Sequence, residues 1–219
     1  LSFGVNLSGS FEKSITANSD GDSMESYHPW VTPYNEDGTL KYNIQSWKNY
    51  TMDPTPLRNP LQDNKYNNVT DLKNNLFGSF SATLKPFKWL SFSSTNTLTL
   101  TNVNTNDYLD SRTYNGNHSR NEMSNGVLKV DDERSWTFLT SNILRLQYSF
   151  GEHNLNGLVG QEWYERHTRS SRIEMYDQII AGERNVGGFS KQGDKTNPGV
   201  IPTGAERESG SFSVFSEVN

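Results

Sequence analysis

Leu76-Phe77-Gly78-Ser79-Phe80-Ser81-Ala82-Thr83-Leu84, then Lys85-Pro86-Phe87-Lys88, then Trp89-Leu90-Ser91-Phe92-Ser93 is the stretch on which the fold turns. Leu76, Gly78, Phe80, Ala82 and Leu84 alternate with Asn75, Ser79, Ser81 and Thr83. Beyond Pro86-Phe87 the alternation resumes, with Leu90, Phe92, Leu98 and Leu100 against Ser91, Ser93, Thr95, Thr97, Thr99 and Thr101. A period of two on both sides of a Pro-containing break predicts two antiparallel strands joined by a tight connection at Pro86-Phe87.

The same period recurs in four further segments. Phe3, Val5, Leu7 and Phe11 share one face near the start. Trp136, Phe138, Leu144, Leu146, Tyr148 and Phe150 share another, and after Gly151-Glu152-His153-Asn154 the pattern continues through Leu155, Gly157, Val159 and Trp163. Phe212, Val214 and Val218 carry it in the last segment. Helical spacing is not sustained, although residues 40–50 suit a short helix within a loop. The chain reads as all-β.

Connections between these segments alternate long and short, at about 14–71, 86–87, 103–134, 151–154 and 170–210. A soluble sandwich has turns every ~8–12 residues at both ends. Tight turns at one end and long polar loops at the other are the asymmetry of an outer-membrane barrel, with short periplasmic turns and long extracellular loops. Phe87, Trp89, Tyr148 and Phe150 all fall beside the short turns, where an aromatic girdle belongs. Six strands cannot close such a barrel, which starts at about eight, so the segments are expected to be part of a larger wall. Both termini read as strand, and an isolated version with open edges is expected to aggregate in water.

Composition narrows the alternatives. Only 32% of residues are apolar and mean hydropathy is −0.78, but 12% are aromatic, which argues against a disordered chain. The 25 acidic residues against 20 basic ones give a net charge of −5 with no basic cluster, so nucleic acid is not an expected partner. The chain has no cysteine, which removes disulfides, thiol nucleophiles and cysteine zinc sites. No apolar run approaches the ~18 residues of a membrane helix, and the first residues lack an export signal.

No catalytic, cofactor or metal site is assigned from the sequence, and the substrate-binding residues are left unknown. His28, His118, His153 and His167 have no metal-ligand spacing. Asn18, Asp20 and Asp22 alternate as in a calcium loop, but Ser23 stands where an EF-hand needs Gly and Pro29 where it needs Glu, so a looser loop calcium is the one cofactor reading left. Glu162 with Glu165, or Asp131, Asp132 and Glu133, are read as a charged rim and not as paired glycosidase carboxylates. Trp30, Tyr34, Tyr42, Trp47 and Tyr50 concentrate in the first long loop, open to three readings: ligand contact, contact with a lid protein, or loop packing.

Several of these features together resemble one known family. Pro33-Tyr34-Asn35-Glu36-Asp37-Gly38-Thr39 is similar to a Pro-x-x-x-Asp-Gly loop stretch, followed by Asn59-Pro60-Leu61. Asn75, Phe80 and Ala82 with Pro86, Lys88-Trp89-Leu90 and Phe92, then His153-Asn154-Leu155 with Leu158-Val159-Gly160-Gln161-Glu162, complete the pattern in order. The chain resembles the middle of the barrel of SusC/RagA-type TonB-dependent outer-membrane transporters of Bacteroidetes. That resemblance implies one barrel domain over residues 1–219, with the plug domain and TonB-contacting segment outside them. It further implies import of oligosaccharides or peptides across the outer membrane, with a SusD-like lipoprotein and the TonB complex as partners and no enzymatic activity. The competing expectation is a soluble or surface-attached β-sandwich that binds glycans, which would need a second sheet packed on the first.

Overall fold

The computed structural model describes residues 1–17, 31–48, 51–118, 125–192 and 202–219; of 43–48, 51–58 and 118 it describes the backbone. Its strands are β1 (Ser2–Ala17), β2 (Asn43–Lys48), β3 (Thr51–Arg58), β4 (Asn68–Phe87), β5 (Leu90–Leu109), β6 (Val127–Phe150), β7 (His153–Gln178), β8 (Phe189–Gln192) and β9 (Thr203–Val218). Helix α1 (Pro60–Tyr66) and a single turn at Tyr114–His118 lie in the loops.

Six long strands and the short β8 make one antiparallel sheet in which β1, β4, β5, β6 and β7 are successive neighbours, and β7 is shared between β8 and β9. The sheet does not close on itself among the described residues. All six predicted segments are strands, but they are longer than alternation indicated: β6 runs for 24 residues and β7 for 26. Two expectations are corrected. Residues 43–48 form β2, paired with β3 in a separate two-stranded ribbon, so the loop helix lies at Pro60–Tyr66 and not within 40–50. The hairpin turn sits at Lys88-Trp89, two residues beyond Pro86-Phe87. Pro86 has no N–H to give to the ladder, and the β4–β5 register slips between Leu84 and Phe87. In the other hairpin Gly151 opens the turn at φ +61, a region an L side chain avoids.

Register decides what each face carries. Leu84, Phe92, Leu144 and Val159 form one row across four strands, and Leu76, Leu100, Trp136 and His167 another on the same face. The opposite face carries Thr101, Ser135 and Thr168 in one row and Ser93, Ile143 and Gly160 in another. Large apolar side chains stay open to their surroundings: Phe92 is 41% exposed, Leu144 43% and Phe212 64%. No second sheet covers them among the described residues, which removes the sandwich. The apolar face holds a polar island: Thr140 donates to Asn96 (2.8 Å) and Asn96 donates to Ser94 (3.2 Å), partly satisfying these groups locally.

Among the described residues a conventional core exists only at the long-loop end. Tyr108, Leu128, Met175 and Phe189 pack together on one face, and Leu109, Val127 and Tyr176 on the other. Since Tyr108–Leu109, Val127–Leu128 and Met175–Tyr176 are consecutive residues, both faces of the sheet are buried there.

Candidate functional site

The polar face is the hollow one. Its hollows are lined by Val103, Thr105, Asp131 and Arg172 in one place and by Arg145, Gln147, Asn156 and Leu158 in another, all on that side of the register. Hydroxyl and amide groups knit the strands together across it. Thr101 donates to Asn75 (3.0 Å), Asn75 to Ser10 (3.2 Å) and Thr105 to Asp71 (2.6 Å), while Thr83 and Ser93 share a hydrogen bond of 3.1 Å. Toward the long loops the same face becomes charged. Arg172 forks onto Asp131 through Nε (2.5 Å) and Nη2 (3.1 Å), and Lys129 lies between Asp107 (3.7 Å) and Glu174 (3.9 Å). A cleft of about 510 Å³ beside Asp131 and Arg172 opens onto this surface.

Of the carboxylates considered from sequence, Asp131 and Glu133 share the polar face and line one cleft, whereas Glu162 and Glu165 are parted. Glu162 accepts from Ser141 (3.3 Å) on the polar face, whereas Glu165 stands in the Phe138 row of the opposite face. Asp131 is taken by Arg172, and Asp132, on the other side, accepts from Asn104 (2.8 Å). No group of three His, Asp or Glu residues that could hold a metal occurs among the described residues. His167 meets Glu206 (2.7 Å) and tilts against Trp136, His153 stacks obliquely on Phe150, and His118 closes the Tyr114–His118 turn. His28, Asn18, Asp20, Asp22, Ser23 and Pro29 lie outside the described residues, as do Trp30 and Tyr50. Tyr34 is exposed, and Tyr42 packs edge-on against Tyr114 (5.7 Å), which is loop packing for that one residue.

At the short-turn end the aromatic side chains form a continuous ladder. Phe87 stacks on Trp89 at 5.0 Å, Trp89 meets Tyr148 at 6.2 Å, and Tyr148 meets Phe150 at 6.1 Å.

The loop end carries a constellation that sequence reasoning missed. Asn59 is 1% exposed and caps α1 by accepting from the Leu61 N–H (3.1 Å), while its amide donates to the carbonyls of Pro33 (2.9 Å) and Lys41 (2.8 Å). Those two carbonyls flank the turn in which Asp37 accepts from the Thr39 N–H (2.9 Å) and Gly38 takes φ +80. The Asn-Pro-Leu and Asp-Gly motifs are therefore two halves of one knot. Asn67 ends α1 and accepts from the Asp110 N–H (2.8 Å) and from Thr113 Oγ1 (3.2 Å). Asp110, 1% exposed, accepts from Arg112 at its backbone N–H, Nε and Nη2 (2.9, 2.8 and 2.7 Å) and from the Tyr108 hydroxyl (2.8 Å). Burial works against the Asp110 charge, but the Arg112 and Tyr108 hydrogen bonds outweigh it and hold the carboxyl below its usual range. Gln178 closes the circuit, donating to the Tyr108 hydroxyl (2.5 Å) and the Glu183 carbonyl (2.9 Å) and accepting from the Ser111 N–H (3.1 Å). Three loops are thereby tied into one cap.

With this geometry in view, comparison with solved structures is informative. The chain superposes over 99% of its length on structures of the RagAB peptide importer: in the open-open state at TM-score 0.70 and 18% identity, in the closed-closed state at 0.68 and 19%, and in the RagAB peptide transporter at 0.66 and 18%. Its fold is that of a segment of the RagAB importer's β-barrel. The chain spans about a quarter of those chains, 23–24% of their length. No protein-family model and no curated protein sequence matches it. These RagAB neighbours are transporters.

In outer-membrane barrels generally, a polar face lines the lumen and an apolar face looks outward. Leu146 and Trp136, near the two ends of the apolar stretch of β6, are about ten residues apart. At ~3.3 Å per residue and a tilt of about 40°, they bound a band roughly 25 Å tall, the height of an outer-membrane hydrocarbon layer. Directly above it on the outward face comes a row of Asn74, Asn102, Arg134, Arg169 and Glu206, where the apolar pattern ends.

Proposed function

We propose that this chain is part of the wall of a TonB-dependent outer-membrane importer of large nutrients, with peptides as the substrate class and a SusD-like surface lipoprotein meeting its loop end. All 219 residues belong, in this reading, to one barrel domain, and the plug and the TonB-contacting segment lie elsewhere in the polypeptide. The observation that carries the proposal is the two-faced wall: an apolar outward band with an aromatic ladder at its short-turn end, backed by a hollow hydroxyl- and amide-rich face. A polar, hydrogen-bonding lumen suits substrates rich in amide groups. The choice of peptide over oligosaccharide is carried over from the neighbours, which are peptide importers, and the lipoprotein partner and energy source from the SusC/RagA resemblance.

Epitope insertion in the full-length protein tests the topology. A tag after Gly182 should be reached by antibody on intact cells, and a tag after Gly151 only after the outer membrane is permeabilised. Both tags accessible, or the order reversed, sinks the barrel orientation. Uptake of a labelled peptide pool should stop on adding a protonophore; uptake that continues, or is equalled by a labelled oligosaccharide pool, removes the energised peptide importer.

A further inference from the structure

On the hollow face two arginines have no ion-pair partner among the described residues. Arg166 pairs in register with Thr137 and Ser209, and Arg207 with Thr168, so both side chains are on the luminal side of neighbouring strands. They are diagonal neighbours, roughly 7–8 Å apart at the backbone, close enough for long side chains to converge on one group. Thr168 and Ser209 add two hydroxyls, and the four residues line a hollow of about 700 Å³ together with Glu133, Glu206 and Glu208. None of those acids is within ion-pair distance of Arg166 or Arg207. Alternation sends Glu206 and Glu208 to the outward face, where His167 contacts them at 2.7 and 3.9 Å. Glu133 is opposite Ser170, four residues along β7 from Arg166. Among the described residues neither Arg166 nor Arg207 makes an ion pair. Arg172 and Lys129 higher on the same wall both do.

Two like charges side by side repel, and that cost is recovered when an anion sits between them. The guanidinium fork matches a carboxylate, with hydroxyls beside it to fill the remaining lone pairs. The hollow is large enough for a terminal residue and not only for an ion. We propose that Arg166 and Arg207, with Thr168 and Ser209, form a luminal subsite that takes a carboxylate of the transported peptide. This rests on the importer reading above and adds to it a requirement on the substrate's charge. Hydroxyls alone would receive neutral and anionic substrates alike; the guanidinium pair makes the wall selective.

The test uses the full transporter purified in detergent, with two probes: a labelled pool of short peptides with free carboxyl groups, and the same pool with every carboxyl converted to an amide. The wild type should bind the free-acid pool ~10–100-fold more tightly, the range expected for charge-assisted hydrogen bonds. R166Q/R207Q should bring the acid-to-amide affinity ratio close to one, and R166K/R207K should restore part of the preference. Heat-modifiable migration on gels certifies that each variant is folded, and single substitutions R166Q and R207Q replace the double variant if it is not. Equal acid-to-amide ratios in wild type and R166Q/R207Q overturn the subsite but leave the importer standing. A wild type that binds neither pool takes down the importer reading itself. A structure of the whole transporter with Arg166 or Arg207 ion-paired to one of its own acidic side chains also overturns the subsite, because the anion would be internal.

Discussion

Replacing Asp110 by alanine should loosen the loop cap without loosening the wall. Asp110 is the hub of the cap, receiving three hydrogen bonds from Arg112 and one from Tyr108 in a site that is 1% exposed. Removing one member of a buried pair costs about 3–5 kcal/mol when the other charge is stranded. Here Arg112 is not stranded, since its side chain is 46% exposed and lies over the Tyr66 ring at 4.2 Å, so the lower part of that range or less applies. About 2–3 kcal/mol is a fair figure, from the Tyr108 O–H left without its acceptor and the lost charged bonds. That corresponds to roughly 30–150-fold faster amide exchange. Hydrogen exchange on the full transporter should show it at Thr113, Gly116 and Gly126, whose N–H groups close the cap, and not at Leu98 or Leu144 in the band. Exchange that is unchanged at those three amides, or that rises equally in the band, would refute the reasoning. Acid should act in the same direction. Because the Asp110 carboxyl is held below its unfolded range, its contribution is complete above that range and disappears as pH falls through the folded-state value. Cap exchange should therefore accelerate only below about pH 4, and D110N should remove that acid-dependent component.

Leu144→Arg, near the middle of the outward band, should cost about 2–4 kcal/mol in bilayer folding by urea titration, whereas Thr97→Arg on the luminal face should fold normally. Equal penalties would mean the faces are assigned wrongly. At Gly160 an added Cβ would lie 2.2–2.8 Å from the Phe215 ring, so Gly160→Val should cost about 1–3 kcal/mol in the same titration, relieved when combined with Phe215→Ala. Asn59→Asp keeps the helix cap but loses the donor to Pro33 and Lys41, and Asn59→Ala loses both. Limited proteolysis of residues 31–41 should rise in both variants, by more in the alanine, and equal protection in wild type and both variants would show that the knot does not hold this loop.

Much of the wall was legible because its two faces differ in polarity, as the proposed lipid and lumen sides require. Between Trp136 and Leu146, and between Leu76 and Leu84, successive residues answer to opposite environments, and polarity alternates accordingly. The short turns announced themselves through Pro86 and Gly151, and the aromatic ladder through its place beside them. Strand ends were not legible. Past Arg134 on β6 and His167 on β7, both faces meet water and then both are covered by loops, so alternation vanishes although the backbone ladder continues; extended chain there reads as loop.

By itself, then, the sequence determined the strand period, the order of hairpins, the asymmetry of their connections and hence the barrel-wall architecture, all of which depend on residues close together in the chain. The tertiary structure decided what depends on distant residues meeting. Asn67 reaches Asp110, and Gln178 reaches Tyr108, across 43 and 70 residues. Only register could tell that Asp131 neutralises Arg172 while Arg166 and Arg207 make no ion pair among the described residues. A side chain's type is local, but its partner is set by the strand that folds against it.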